Sequence, residues 1–409
     1  MLKRHEGLRT KIVTYNNVPR QVILDVNDEI LDIEFIDIRN KELNVEALIR
    51  YEQKRIFDLC NGPLIVSKLI HNKENQHVLL LNFHHIITDG WSMEVFIREI
   101  LQLYDHYANK KDLNLPDLRI QYKDYSVWQN SELNSDSRQM QEAALYWKTK
   151  FYSGMNPVRL LTDFPPPAQP SFEGSVQFVP IEKDLGQWLK KAATLYSVSN
   201  LCIALTTVKI LLQKYSGVNN VLVGTPISGR DHPDVEGLIG IFLNLLPLST
   251  EIDPNDTFSN TIARVKATLF EAYRYQNYPY EKIVEDIRRD SPASSNSFNI
   301  LVQFAEANEA DNQLVSDLAI EFYPFTSQSS QFEITFFFSI SQDDLSLKIE
   351  YQKELFEKST IQKLGKDLCH LMSVLSKNSQ INISEISLTE NQDDEETELF
   401  LRTMQATAK

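Results

Sequence analysis

The chain has 409 residues, 42% of them apolar and 24% charged, with 21 Phe and 16 Tyr. That length exceeds what one compact core organises and suits two lobes, while the balance of residues excludes a disordered chain. A formal net charge of −15 opposes binding to phosphate backbones, so nucleic acid is not an expected partner.

Cys60, Cys202 and Cys369 lie far apart with no CxxC pair, which argues against a disulfide framework or a zinc ribbon and suits a reducing, cytoplasmic setting. The first ten residues are charged, and no run approaches the ~18 apolar residues of a spanning helix. Neither a signal peptide nor a membrane anchor is expected.

Residues 22–36 and 64–83 hold short apolar runs broken by polar turns, and 77–83 reads as a buried strand. From Ser92 the period changes. Met93, Phe96, Ile97, Ile100, Leu101 and Tyr104 fall on one helical face, with Ser92 as the expected N-cap. Residues 84–91 are then the loop between strand and helix. A further helix is expected over 139–151, followed by a stiff stretch with Pro165, Pro166, Pro167 and Pro170, where the lobe boundary is placed. Beyond it, 185–215 reads mainly as helix, 220–225 as a strand and 259–275 as helix. The expected division is 1–165, 171–389 and an acidic linker or tail over 390–409, since 390–398 hold six acidic side chains. Elements of both kinds in alternation indicate an α/β fold of packed layers.

The strand-to-helix loop reads His84, His85, Ile86, Ile87, Thr88, Asp89, Gly90, an HHxxxDG pattern at a turn where scaffolds commonly present reactive groups. A lone His beside an apolar run is usually a packed histidine. Two His, an Asp four residues on and a Gly make that reading much weaker. Metal binding is disfavoured because adjacent side chains on extended backbone point to opposite sides and no Cys or Glu cluster completes a set. A serine hydrolase is disfavoured because no GxSxG elbow is present.

The segment FHHIITDGWS at 83–92 resembles the signature of non-ribosomal peptide synthetase condensation domains. Five further segments agree in order: RHEGLRT (4–10), YKDYSVW (122–128), GTPISGR (224–230), IGIFLNL (239–245) and QNYPYE (276–281), with Arg289 and Asp290 a fainter echo of a last motif. The resemblance implies two lobes similar to chloramphenicol acetyltransferase, mixed sheets flanked by helices and set in a V with a tunnel between them. It implies docking of a donor and an acceptor peptidyl carrier domain, each presenting a phosphopantetheine arm, and an adenylation domain in the same or a neighbouring polypeptide. No cofactor held by the domain itself is expected.

The implied reaction is aminolysis of a thioester. The leaving thiol has a pKa of roughly 8.5, so it needs little acid help, and an α-amino group costs only about 1 to 1.5 kcal/mol to deprotonate at pH 7. Holding the reactants in attack geometry contributes ~7 to 11 kcal/mol. Positioning should outweigh proton removal. His85 is therefore assigned to hold the amine and take its proton, Asp89 to orient the loop by pairing with Arg230 or Arg9, and His84 to hold the loop by packing. Gly90 would admit substrate closely and offer its N–H to an oxyanion. Trp91, Trp128, Gly224, Asn244 and Tyr278 are the expected tunnel or substrate-binding residues.

Relatives in this family begin some tens of residues before their RHExLRT segment, whereas Met1 lies three residues before Arg4, so a chain shortened at its start is expected. Glu333 and Asn277 stand where Asp is common. Epimerisation, heterocyclisation and plant-type alcohol acylation are disfavoured by the absence of their own motifs. The alternative from another class is a non-catalytic condensation-like module, or inactive fragment, that docks a carrier or a tailoring enzyme.

Overall fold

The computed structural model describes residues 1–388 apart from 27–31, 136, 153, 291–296, 307–311, 316, 317, 324, 327 and 343. The expected acidic tail, 390–409, lies outside the described residues.

In chain order the elements begin β1 (Thr10–Tyr15), β2 (Val18–Ile23), β3 (Ile33–Asp37), α1 (Val45–Gln53), β4 (Ile65–Lys73) and β5 (Gln76–Phe83). Then come α2 (Gly90–Asn109), α3 (Tyr122–Leu133), α4 (Arg138–Lys150), β6 (Gly174–Val179), α5 (Lys183–Tyr196) and α6 (Asn200–Ser216). They continue with β7 (Asn220–Ile227), α7 (Pro233–Glu236), β8 (Asn244–Glu251), α8 (Phe258–Arg274), α9 (Tyr280–Asp290) and β9 (Ile300–Glu306). The last are β10 (Asn312–Val315), β11 (Leu318–Glu321), β12 (Ile334–Ser341), β13 (Asp344–Gln352) and α10 (Lys358–Lys377). This is a mixed α/β fold.

Contacts divide the chain into two compact units. The first is Met1–Met140 with Ser228–Leu243 and Ala310–Phe325, and the second is Gln141–Ile227 with Asn244–Glu309 and Thr326–Lys409. The proline-rich stretch thus falls inside the second unit, where Asp163 and Phe164 donate their N–H groups to Leu355.

In the first unit β3 pairs parallel with β4, and β4 pairs antiparallel with β5. Successive side chains of β4 point to opposite faces, so Ile70 packs with Ile38 and Val45 under α1, while Ile65, five residues earlier, packs on the other face with Leu8, Val95, Phe96 and Ile239. α2 buries Val95 and Phe96 in that second cluster. A third cluster joins Val235, Leu238 and Phe242 to Leu118, Tyr122 and Tyr125. Two clusters therefore hold 228–243, one through Ile239 on the strands and helix that flank the HHxxxDG loop and one on α3 and the residues before it.

In the second unit six strands run in the order β6, β13, β12, β9, β7, β8, with parallel pairing only where β9 meets β12 and β7. The stretch read mainly as helix over 185–215 consists of two helices, α5 and α6. Ser197 takes a left-handed conformation at the end of α5, and Ser199 caps α6 through a bond from Cys202 N. α6 is apolar nearly all round because it packs among α5, α8, α10 and the sheet. No single helix among the described residues is long and apolar enough to cross a membrane.

Candidate active site

β5 delivers the chain to His84, whose N–H donates to Leu64 O at 2.9 Å. The imidazole Nδ1 of His84 accepts from Ile86 N at 3.0 Å, which caps the short turn His85–Ile87 and leaves the ring proton on Nε2. Burial, with the neighbouring His85 second, pushes the His84 pKa down. His85 itself is exposed, and its side chain makes no hydrogen bond among the described residues.

Asp89 is buried and its carboxylate is fully engaged. Oδ1 accepts from Ser92 N at 2.8 Å and from Arg230 Nη2 at 3.1 Å, and Oδ2 accepts from Phe242 N at 2.9 Å. Asp89 is therefore the N-cap of α2, in place of Ser92. A carboxylate there answers both the orphan N–H groups and the positive end of a 20-residue helix. Ser92 is instead the fully buried third residue of α2. Its hydroxyl donates to Gly240 O at 2.7 Å and accepts from Gly240 N at 3.1 Å and Arg230 Nη2 at 2.7 Å.

The remaining Arg230 bonds stay within its own segment. Nη1 donates to Val235 O at 2.5 Å and Leu238 O at 2.8 Å, and the guanidinium lies 4.0 Å over the Phe242 ring. Desolvation lowers its pKa and the Asp89 charge opposes that shift. Arg9, the other candidate partner, is spent elsewhere. It donates to Leu2 O at 3.1 Å and to Leu24 O, and pairs with Glu6 at 3.6 Å.

Gly90 opens α2 and is exposed, and a Cβ added there would meet nothing within 4 Å. The space beside Gly90 and His85 is therefore open. Trp91 pins its indole by donating to Glu236 O at 2.9 Å while staying 44% exposed. Trp128 is half exposed on α3 and leans on Tyr125.

Three of the expected binding residues belong to the second unit and serve its structure. Asn244 brackets a turn: Nδ2 donates to Gln276 O at 2.8 Å and Tyr278 O at 3.0 Å, and Oδ1 accepts from Tyr280 N at 3.0 Å. Tyr278 is buried and donates to Asp286 at 2.6 Å. Gly224 lies under Phe298, where a Cβ would come within 2.0 Å of the ring.

Sequence reasoning missed Glu99, on the buried face of α2. It accepts from Arg4 at 3.0 Å and from His5 at 2.7 Å, so the RHEGLRT segment pins the helix that carries Asp89. Glu99 lies off the apolar face read from the sequence, on the side that buries Ser92, Val95 and Phe96, so the helical period gave no signal for it. No group of three or more His, Cys, Asp or Glu able to hold a metal occurs among the described residues.

A model of the condensation domain family matches residues 1–398. The chain is 32% identical over 389 residues to surfactin synthase subunit 1 of Bacillus subtilis (strain 168), covering 95% of this chain and 10% of that protein. It is also 32% identical over 391 residues to gramicidin S synthase 2 of Brevibacillus brevis, covering 95% of this chain and 8% of the relative. The chain thus spans about a tenth of the length of these synthetases. Its fold is similar to the X-domain from teicoplanin biosynthesis, with a TM-score of 0.83 at 22% identity over 94% of this chain and 87% of that one. It is equally similar to a four-domain nonribosomal peptide synthetase bound to AMP and glycine, with a TM-score of 0.83 at 20% identity over 96% of this chain and 30% of that one.

The family match over nearly the whole chain defines its class as a condensation domain. The chain belongs to the condensation domain family of non-ribosomal peptide synthetases.

Proposed function

We propose that the protein joins a carrier-bound acyl or peptidyl thioester to the amine of a carrier-bound amino acid, with His85 at the reacting atoms. The amine nitrogen attacks the thioester carbon, the C–N bond forms, and the C–S bond breaks to release a thiolate. His85 holds the amine and accepts the proton that the new ammonium loses. Gly90 leaves room for the acyl carbon and offers its N–H where oxyanion charge develops.

One observation carries this assignment: both Asp89 oxygens are occupied, Oδ1 by the buried Arg230 guanidinium and Oδ2 by the Phe242 backbone N–H, while His85 is exposed and unbonded among the described residues. Asp89 has no free lone pair facing an open space, so it positions and does not take the proton. Phosphopantetheine arms of donor and acceptor carrier domains would deliver both reactants, with an adenylation domain loading them. Trp91, exposed beside Gly90, would border the bound arm.

The test is His85→Ala with loaded carriers, amide product being read by mass spectrometry. Loss of the base should lower the single-turnover rate by about a hundredfold or more, with an unchanged melting temperature. A near-parental rate would remove His85 from the chemistry. Carrier binding by a parent protein that forms no amide would select the docking module instead.

A further inference from the structure

The proposal rests on the condensation reading and concerns a residue that this reading does not use. The Ser92 hydroxyl is 0% exposed and saturated: one proton donated, two acceptor positions filled. Two of its three partners are the backbone N–H and C=O of Gly240, so it grips one residue of the Ser228–Leu243 segment through both of its flanking peptide groups. Its third partner, Arg230, belongs to the same segment and also bonds Asp89. Of the three donors that orient the Asp89 carboxylate, Arg230 and the Phe242 amide come from this segment. The third is the N–H of Ser92 itself.

We propose that Ser92 is a positioning residue for condensation, its hydroxyl fixing 228–243 so that Arg230 and Phe242 hold Asp89, and through it the His85 and Gly90 loop, in working geometry. Ser92 touches no reacting atom. Its loss lets the segment shift, the Asp89 carboxylate rotates away from its donors, and the loop loses the placement that supplies most of the rate. Substrate binding is spared, because no group in this grip faces the open space beside Gly90.

Two variants separate this role from simple stabilisation. Ser92→Ala leaves a small gap and Ser92→Cys fills it, and both lose a strong hydroxyl partner. Thr207→Ala, in the second unit, removes another buried hydroxyl bond, to Ala204 O at 2.9 Å, and serves as the control for lost stability. Activity is followed with N-acetylcysteamine thioesters as donor and acceptor, well below each melting temperature. In both Ser92 variants kcat should fall about tenfold to a hundredfold while KM stays within about threefold. The Gly240 and Phe242 amides should exchange hydrogen about tenfold faster or more, with α6 amides unchanged. The control should keep its kcat.

A kcat within about twofold of the parent in either variant, or a loss no larger than in the control, overturns the proposal. So does unchanged exchange at Gly240 and Phe242, and so does failure of both variants to fold, which would make Ser92 structural only. If the parent forms no amide, the condensation reading fails, and the exchange measurement alone decides whether Ser92 holds the segment.

Discussion

The Asp89 carboxylate accepts the backbone N–H of Phe242 at 2.9 Å, across 153 residues of sequence. One side chain thus closes the helix cap of α2 and clamps a distant segment. The carboxylate shares this work with Arg230, and both side chains are almost fully removed from solvent, at 2% and 0% exposure.

That burial sets the cost of breaking the pair. Asp89→Ala strands the Arg230 guanidinium, whose Nε is already buried without a partner, and should lower stability by about 3 to 5 kcal/mol. Asp89→Asn keeps an acceptor oxygen and should lose less. Urea denaturation of the three proteins checks the order, and an Asp89→Ala protein as stable as the parent would contradict the buried pair.

His84 gives a pH dependence with a definite sign. Its folded pKa is lowered, so between its usual value near 6.5 and the folded value the unfolded chain binds the extra proton. Stability from this group is complete above about pH 6.5 and is lost as pH falls through that window. His84→Asn retains a possible acceptor for Ile86 N without the titration. Melting temperatures of parent and variant should therefore converge, or cross, between pH 7.5 and pH 5, and parallel curves would exclude a titrating His84.

Much of this was legible in the sequence because it is local. The positions of strand β5, the loop at His84 and α2 follow from the apolar run and the change of period, and the ordered motifs carry the family. But β5, read as buried, is only partly covered, and of the apolar face read for α2 only Phe96 is buried while Tyr104 is exposed. What escaped is nonlocal. The hydroxyl of Ser92 looks like a cap by position, but a carboxylate three residues earlier wins the orphan N–H groups. Asn244 and Gly224 sit in motifs and read as substrate contacts, while the turn that Asn244 brackets and the Phe298 ring that Gly224 accommodates left no local trace. The break at Ser197 is hidden because the helices on both sides of it are strong. The membership of 228–243 in the first unit depends on Ile239 and Phe242 packing against residues more than a hundred positions earlier.

Gly240 tests that packing. A Cβ there would lie 2.1 Å from Tyr122 Cδ2, and Tyr122 donates its hydroxyl to Ile241 O at 2.9 Å. Gly240→Ala should destabilise by about 1 to 3 kcal/mol through overpacking. Combining it with Tyr122→Ala should cost less than the two single changes added together, because the clash is already gone. Strict additivity in denaturation experiments would show that the ring does not press on Gly240.

Lys209 is fully buried on α6, and its Nζ donates to Val221 O on β7 and Leu248 O on β8, both at 2.7 Å. It has no ion-pair partner among its hydrogen bonds, and burial pushes its pKa well below the usual lysine value. The folded state therefore resists protonation while the unfolded chain binds a proton up to about pH 10.4. The sign follows: between the folded pKa and the usual lysine value, stability from this group rises with pH. Lys209→Met should be less stable than the parent, because two buried carbonyls each lose a donor at about 1 to 3 kcal/mol. The deficit should also widen between pH 7 and pH 9.5 as the parent alone gains. Denaturation midpoints at these two pH values are sufficient, and a deficit that stays constant or shrinks would mean that Lys209 is buried as the ammonium.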